Sequence, residues 1–82
     1  MITVILYGRP ECCLCDEALE VLERVRGRVG FHLEQRDITA DDALHRLYLE
    51  RIPVVELQGE VLFELEVDEA ELEARLVRVQ AA

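Results

Sequence analysis

Three cysteines fall within four positions, Cys12-Cys13-Leu14-Cys15, and the chain holds no other. They follow an apolar, β-branched run, Ile2-Thr3-Val4-Ile5-Leu6-Tyr7, which reads as a buried strand. An amphipathic helix begins close to Cys12. A thiol at a helix N-terminus faces unpaired backbone N–H groups and the positive end of the helix dipole. Both favour thiolate over thiol, which makes such a cysteine nucleophilic near neutral pH. A second thiol one turn along can attack the mixed disulfide formed by the first. The pattern is that of a dithiol/disulfide exchanger.

The elements that must position these thiols are legible from periodicity. The first helix is expected from Cys13 to Arg26, with Cys15, Ala18, Leu19, Leu22 and Val25 as its buried stripe and Glu20–Arg24 as an i,i+4 pair on the wet side. Gly27 and Gly30 mark its exit. Phe31 to Arg36 alternates as a second strand, so strand, helix and strand form a βαβ unit with parallel strands. Thr39 is the expected N-cap of a short helix with Leu44, Leu47 and Tyr48 inward. Arg51-Ile52-Pro53 ends that helix. Val54 to Leu57 is a third strand, Gln58-Gly59-Glu60 a tight turn, and Val61 to Leu65 a fourth strand antiparallel to the third. On that strand Val61, Phe63 and Leu65 are expected to face one way, and Glu64 and Glu66 the other. Asp68 caps a last helix with Leu72, Leu76 and Val79 inward. The order is βαβαββα, an α/β architecture in which a four-stranded mixed sheet is flanked by three helices.

Size and charge narrow the function. The chain has 82 residues, room for one domain spanning 1–82. Its formal net charge is −9, the opposite of the basic surface that nucleic-acid binding needs. Serine is absent, which removes a serine hydrolase. No apolar run approaches the roughly 18–20 residues that span a bilayer, and no leader is expected ahead of the first strand. The expected setting is the cytoplasm, where structural disulfides are uncommon and a tight cysteine cluster is reactive or metal-binding.

The segments Tyr7-Gly8-Arg9-Pro10-Glu11-Cys12-Cys13-Leu14-Cys15-Asp16 and Arg51-Ile52-Pro53-Val54-Val55, set in this element order, resemble the glutaredoxin-like members of the thioredoxin superfamily. The resemblance covers nearly the whole chain. It implies a thioredoxin/glutaredoxin fold and thiol-disulfide oxidoreductase activity on protein or low-molecular-weight disulfides. Cys12 matches the exposed attacking cysteine and Cys15 the more buried resolving cysteine. Pro53 matches the proline whose preceding bond is cis, which turns the Ile52 backbone toward the dithiol. Arg9 stands where glutaredoxins often carry Lys; the dipole and Arg9 are expected to outweigh Glu11 and Asp16 and to keep Cys12 as thiolate. Arg9, Cys13, Leu14, Ile52, Pro53 and Asp68 are the expected surroundings of the substrate. No bound cofactor is expected. Glutathione is a candidate co-substrate, and a reductase or glutathione the electron donor. The chain is expected to be monomeric.

Three departures from the family pattern bear on substrate. Cys13 stands where relatives carry Pro, Gly or His, as a surface thiol or as a third participant. Leu14 replaces a Tyr common in glutathione-using enzymes. Leu65-Glu66 replace the Gly-Gly after the fourth strand that admits glutathione closely. Adjacent cysteines form only a strained ring, so geometry favours a Cys12–Cys15 disulfide. The alternative is a non-catalytic module that carries Cu(I) or Zn(II) on its thiols. His32 and His45 are single histidines read as solvated or partly packed side chains, and no metal-ligand set is assigned.

Overall fold

The computed structural model describes residues 2–81. β1 (Thr3–Gly8), α1 (Cys13–Arg28), β2 (His32–Asp37), α2 (Asp42–Tyr48), β3 (Val54–Leu57), β4 (Glu60–Glu64) and α3 (Glu69–Ala81) follow in the order read from the sequence. A single 3-10 turn, Ile38–Ala40, separates β2 from α2. The sheet order is β2-β1-β3-β4. β1 runs parallel to β2 and antiparallel to β3, and β3 pairs antiparallel with β4. This is the mixed sheet of the thioredoxin fold.

Alternation along the central strands divides the core. Val4 and Leu6 of β1 and Val55 and Leu57 of β3 meet Ala18, Leu22 and Val25 of α1 and Leu72 and Leu76 of α3. A smaller cluster gathers Tyr7, Ile38, Tyr48, Ile52 and Val54, and it includes Cys15 with Cys12 packed against it. The Tyr7 and Tyr48 rings lie 4.9 Å apart at 39° within this cluster. The thiols are therefore seated on a hydrophobic floor. No helix among the described residues is long and apolar enough to cross a membrane.

Several local expectations are corrected. α1 runs to Arg28, with Gly27 inside it and Val29 as the C-cap whose N–H reaches the Val25 carbonyl. Arg28 holds this last turn by bonding Glu69 and Glu73 of α3. Arg24 likewise pairs with Glu69 at 3.0 Å, so its partner lies on α3 and is not Glu20. The cap of α2 is Asp41, whose carboxylate accepts from the Ala43 and Leu44 amides, while Thr39 donates to Asp37 in the preceding turn. Leu47 is exposed, because the short α2 turns Tyr48 and Leu44 inward instead.

β4 ends at Glu64, and its pairing with β3 shifts register between Val55 and Glu56. The skipped residue is Leu62, since Val55 faces Phe63 and Glu56 faces Val61. Such a bulge breaks strict alternation. Leu62 and Phe63 both pack on the core, and Val61 is exposed. Asp68 caps α3 as expected, accepting the Glu71 amide at 3.1 Å.

The α1–α3 ion network gives a pH-dependent prediction. Hydrogen bonds from Arg28 and then Arg24 hold the Glu69 carboxyl below its ordinary value of 4.5. A carboxylate depressed in this way stabilises the fold above its unfolded value and loses that contribution as pH falls through the folded value. Glu69→Gln should lower Tm by a few degrees at pH 7 and low salt, less at 1 M salt, as expected of exposed pairs. The two melting curves should converge as pH is lowered from about 4.5.

Candidate functional site

The antiparallel pairing of β1 and β3 sets Tyr7 opposite Val54. The end of β1 and the start of β3 thus lie side by side, although they are far apart in sequence. From β1 the chain passes through Gly8, Arg9, Pro10 and Glu11 to the thiols. Into β3 it arrives through Ile52-Pro53, whose peptide bond is cis. Ile52 is buried against the same cluster as Cys15 and Cys12.

Cys12 is the N-cap of α1. Its Sγ accepts the backbone N–H of Cys15 at 3.2 Å, one of the amides that the first helical turn leaves without a partner. The preceding residue, Glu11, takes a left-handed conformation with φ of 60°. That conformation is unfavourable for a residue with a Cβ and reverses the chain just ahead of the helix. Cys12 is half-buried, Cys13 exposed and Cys15 buried, and all three are free thiols.

Cys15 lies under the strand end. A Cβ added to Gly8 would stand 3.0 Å from Cys15 Sγ and 3.2 Å from Cys15 Cβ, so glycine is what lets the thiol seat there. Sequence reasoning missed Gly8. Alternation held the signal: Leu6 and Gly8 share the face toward α1, and Cys15 is the first buried position of that helix. Burial, then the hydrogen bond and charge of Cys12, push the Cys15 thiol up to about 11. The Arg9 backbone N–H and guanidinium oppose this shift. Arg9 thus acts on Cys15. The result is an unequal dithiol, with one sulfur capping the helix at the surface and the other packed behind it and protonated.

Leu14 is exposed at the helix tip. The Asp68 carboxylate is engaged in capping α3. An open groove of about 340 Å3 reaches Cys15 from the β2 side, lined among others by Gly8, Arg9, Asp16 and Arg36. His32 pairs in register with Thr3, at the sheet end opposite the thiols. Among the described residues no group of three or more His, Cys, Asp or Glu is placed to hold a metal ion.

A family model described as Glutaredoxin-like domain (DUF836) matches residues 3–77. The chain belongs to this glutaredoxin-like family. Protein XcR50 from X. campestris is similar to this glutaredoxin-like chain at 32% identity and a TM-score of 0.74, covering 96% of this chain and 97% of that one. Protein Ne2328 from Nitrosomonas europaea is 29% identical with a TM-score of 0.79, over 90% of this chain and 89% of its own. A chloroplastic thioredoxin z shares the fold at 12% identity and a TM-score of 0.76, over 100% of this chain and 80% of its own. Fold, family and the cysteines at the helix start together support a redox-type thiol function.

Two outcomes follow from the seating of Cys15. Iodoacetamide at pH 7.5 should label Cys12 and Cys13 well before Cys15. Peptide mapping checks this, and equal labelling of Cys15 and Cys13 at neutral pH contradicts it. Gly8→Ala should destabilise the protein by about 1–3 kcal/mol in denaturant unfolding, through overpacking against the thiol.

Proposed function

We propose that this protein is a thiol-disulfide oxidoreductase that reduces protein or low-molecular-weight disulfides through Cys12 and Cys15. The Cys12 thiolate attacks one sulfur of the substrate disulfide. A new S–S bond forms to Cys12, the substrate bond breaks, and the first substrate sulfur leaves as thiolate. Cys15 then attacks Cys12 Sγ, closing the Cys12–Cys15 disulfide and releasing the second substrate sulfur. The proton of Cys15 passes to solvent or to a departing thiolate. The substrate gains two electrons and the dithiol loses two. A thiol donor, either glutathione or a reductase, returns them.

The observation that supports this reading is the asymmetry of the two thiols: Cys12 Sγ caps α1, and Cys15 is buried with its thiol raised to about 11. Part of that rise comes from the hydrogen bond and charge of Cys12. Once Cys12 is tied up in a mixed disulfide it carries no charge, and this contribution disappears. Cys15 then deprotonates more readily, at the moment its attack is required. Attack by Cys12 therefore prepares Cys15, and Cys15 does not compete for substrate beforehand. In this reading Ile52 and Pro53 form one wall of the substrate site, Cys13 and Leu14 border the attacking sulfur, and Arg9 assists Cys15. Asp68, at the start of α3, is the remaining substrate contact in this reading.

Cys12→Ser should reduce disulfide reduction to the rate of buffer thiols alone. Cys15→Ser should accumulate a mixed disulfide, seen by mass spectrometry as the added mass of one substrate half. Retained activity in Cys12→Ser overturns the proposal. Comparing turnover driven by glutathione with turnover driven by a thioredoxin-reductase system identifies the donor.

A further inference from the structure

Three non-glycine residues among those described have left-handed backbone, and two of them adjoin Cys12 or the Ile52-Pro53 segment. Glu11 precedes Cys12. Leu65, with φ of 73°, follows β4 and touches the Ile52-Pro53 segment: its single N–H is shared between the Pro53 carbonyl at 2.9 Å and the Arg51 carbonyl at 3.0 Å. Glycine adopts this conformation without penalty, and a leucine there is strained. The strain is not offset by burial, because the side chain is 50% exposed and belongs to neither hydrophobic cluster. A strained residue with an exposed apolar side chain, fixed by two hydrogen bonds to the segment whose Ile52 packs with both cysteines, is poised for use by a ligand.

We infer that Leu65 is a specificity-determining contact of the dithiol site, selecting polypeptide disulfides that carry an apolar residue next to the cysteine. This rests on the dithiol-exchange reading above. Two further features favour a polypeptide over a small anionic thiol. Glu64 is paired with Arg51 at 3.8 Å, but exposed Glu66 follows Leu65 and exposed Glu11 precedes Cys12, and these two charges oppose an anionic ligand. The Leu65 amide is already engaged with two carbonyls and cannot bind a ligand carboxylate. What remains is apolar surface, from Leu65 on the Pro53 side and from Leu14, itself 48% exposed, on the helix tip. A substrate leucine laid against it leaves water as the transfer site forms.

The test uses pre-reduced full-length protein in single turnover, which needs no other reductant. The probes are two neutral peptides, each carrying one cysteine as a mixed disulfide with cysteamine, identical except for Leu or Gly beside that cysteine. Bis(2-hydroxyethyl) disulfide reports basal exchange by the parent. The parent should reduce the Leu peptide about four- to tenfold faster than the Gly peptide, the effect of covering the exposed part of one leucine. Leu65→Gly and Leu65→Asn, both suited to the backbone, should bring that ratio to about one with Tm no lower than the parent's. Leu65→Met should keep the preference. A parent without preference, or glycine and asparagine variants that retain it, overturns the inference. So does a ratio that falls only together with Tm. A parent inert toward all three probes overturns the dithiol reading itself and this inference with it.

Discussion

The backbone N–H of Cys15 points at the sulfur of Cys12, and much of the molecule is arranged to keep it there. That bond makes a cysteine serve as a helix cap, a place more often filled by Ser, Thr, Asp or Asn. It fixes where α1 starts, which side of the first turn faces the sheet, and hence that Cys15 turns inward. The inward position is open only because β1 ends in Gly8, whose missing side chain leaves room for the thiol. On the opposite side, Ile52 closes the cluster that holds both cysteines. Helix cap, strand end and the Ile52-Pro53 segment form a single mechanical unit.

Electrostatics follow from that packing. A buried thiol loses solvation of its charged form, and a neighbouring sulfur that draws on its proton raises it further. Cys15 shows both effects in that order of size. Cys12 stays at the surface on the amide it caps. The acidic residues around the thiols, Glu11 and Asp16, remain exposed, where water screens them. Away from the site, Arg24, Arg28, Glu69 and Glu73 tie α1 to α3, so the helix carrying the dithiol is braced along its outer face as well as its core.

Much of this was legible in the sequence, for identifiable reasons. Long periodic segments gave α1 and α3, and the β-branched run gave β1. The Asp68 cap was visible because no other capping side chain competes for the start of α3. At α2 the helix begins at Asp42, so Asp41 immediately ahead of it takes the cap and Thr39 stays in the preceding turn. The Leu62 bulge left no mark, because an extra apolar residue in an apolar strand looks like continued strand. Arg24 and Arg28 found partners on α3 that helical spacing cannot reveal. At the site, cysteine spacing was readable from the residues and the role of Ile52-Pro53 only through the family resemblance, whereas the need for Gly8 depends on how closely α1 approaches β1. The left-handed backbone at Leu65 ran against residue type altogether, since leucine gives no sequence signal for it.

In the function proposed above, Cys12 and Cys15 form one reversible redox pair and Cys13 stays outside it. Mild oxidation followed by digestion without reduction and mass mapping tests this directly. The expected result is loss of two free thiols, a bond joining positions 12 and 15, a free thiol at 13, and full recovery with dithiothreitol. A bond that involves Cys13, or a thiol count that does not change, contradicts it.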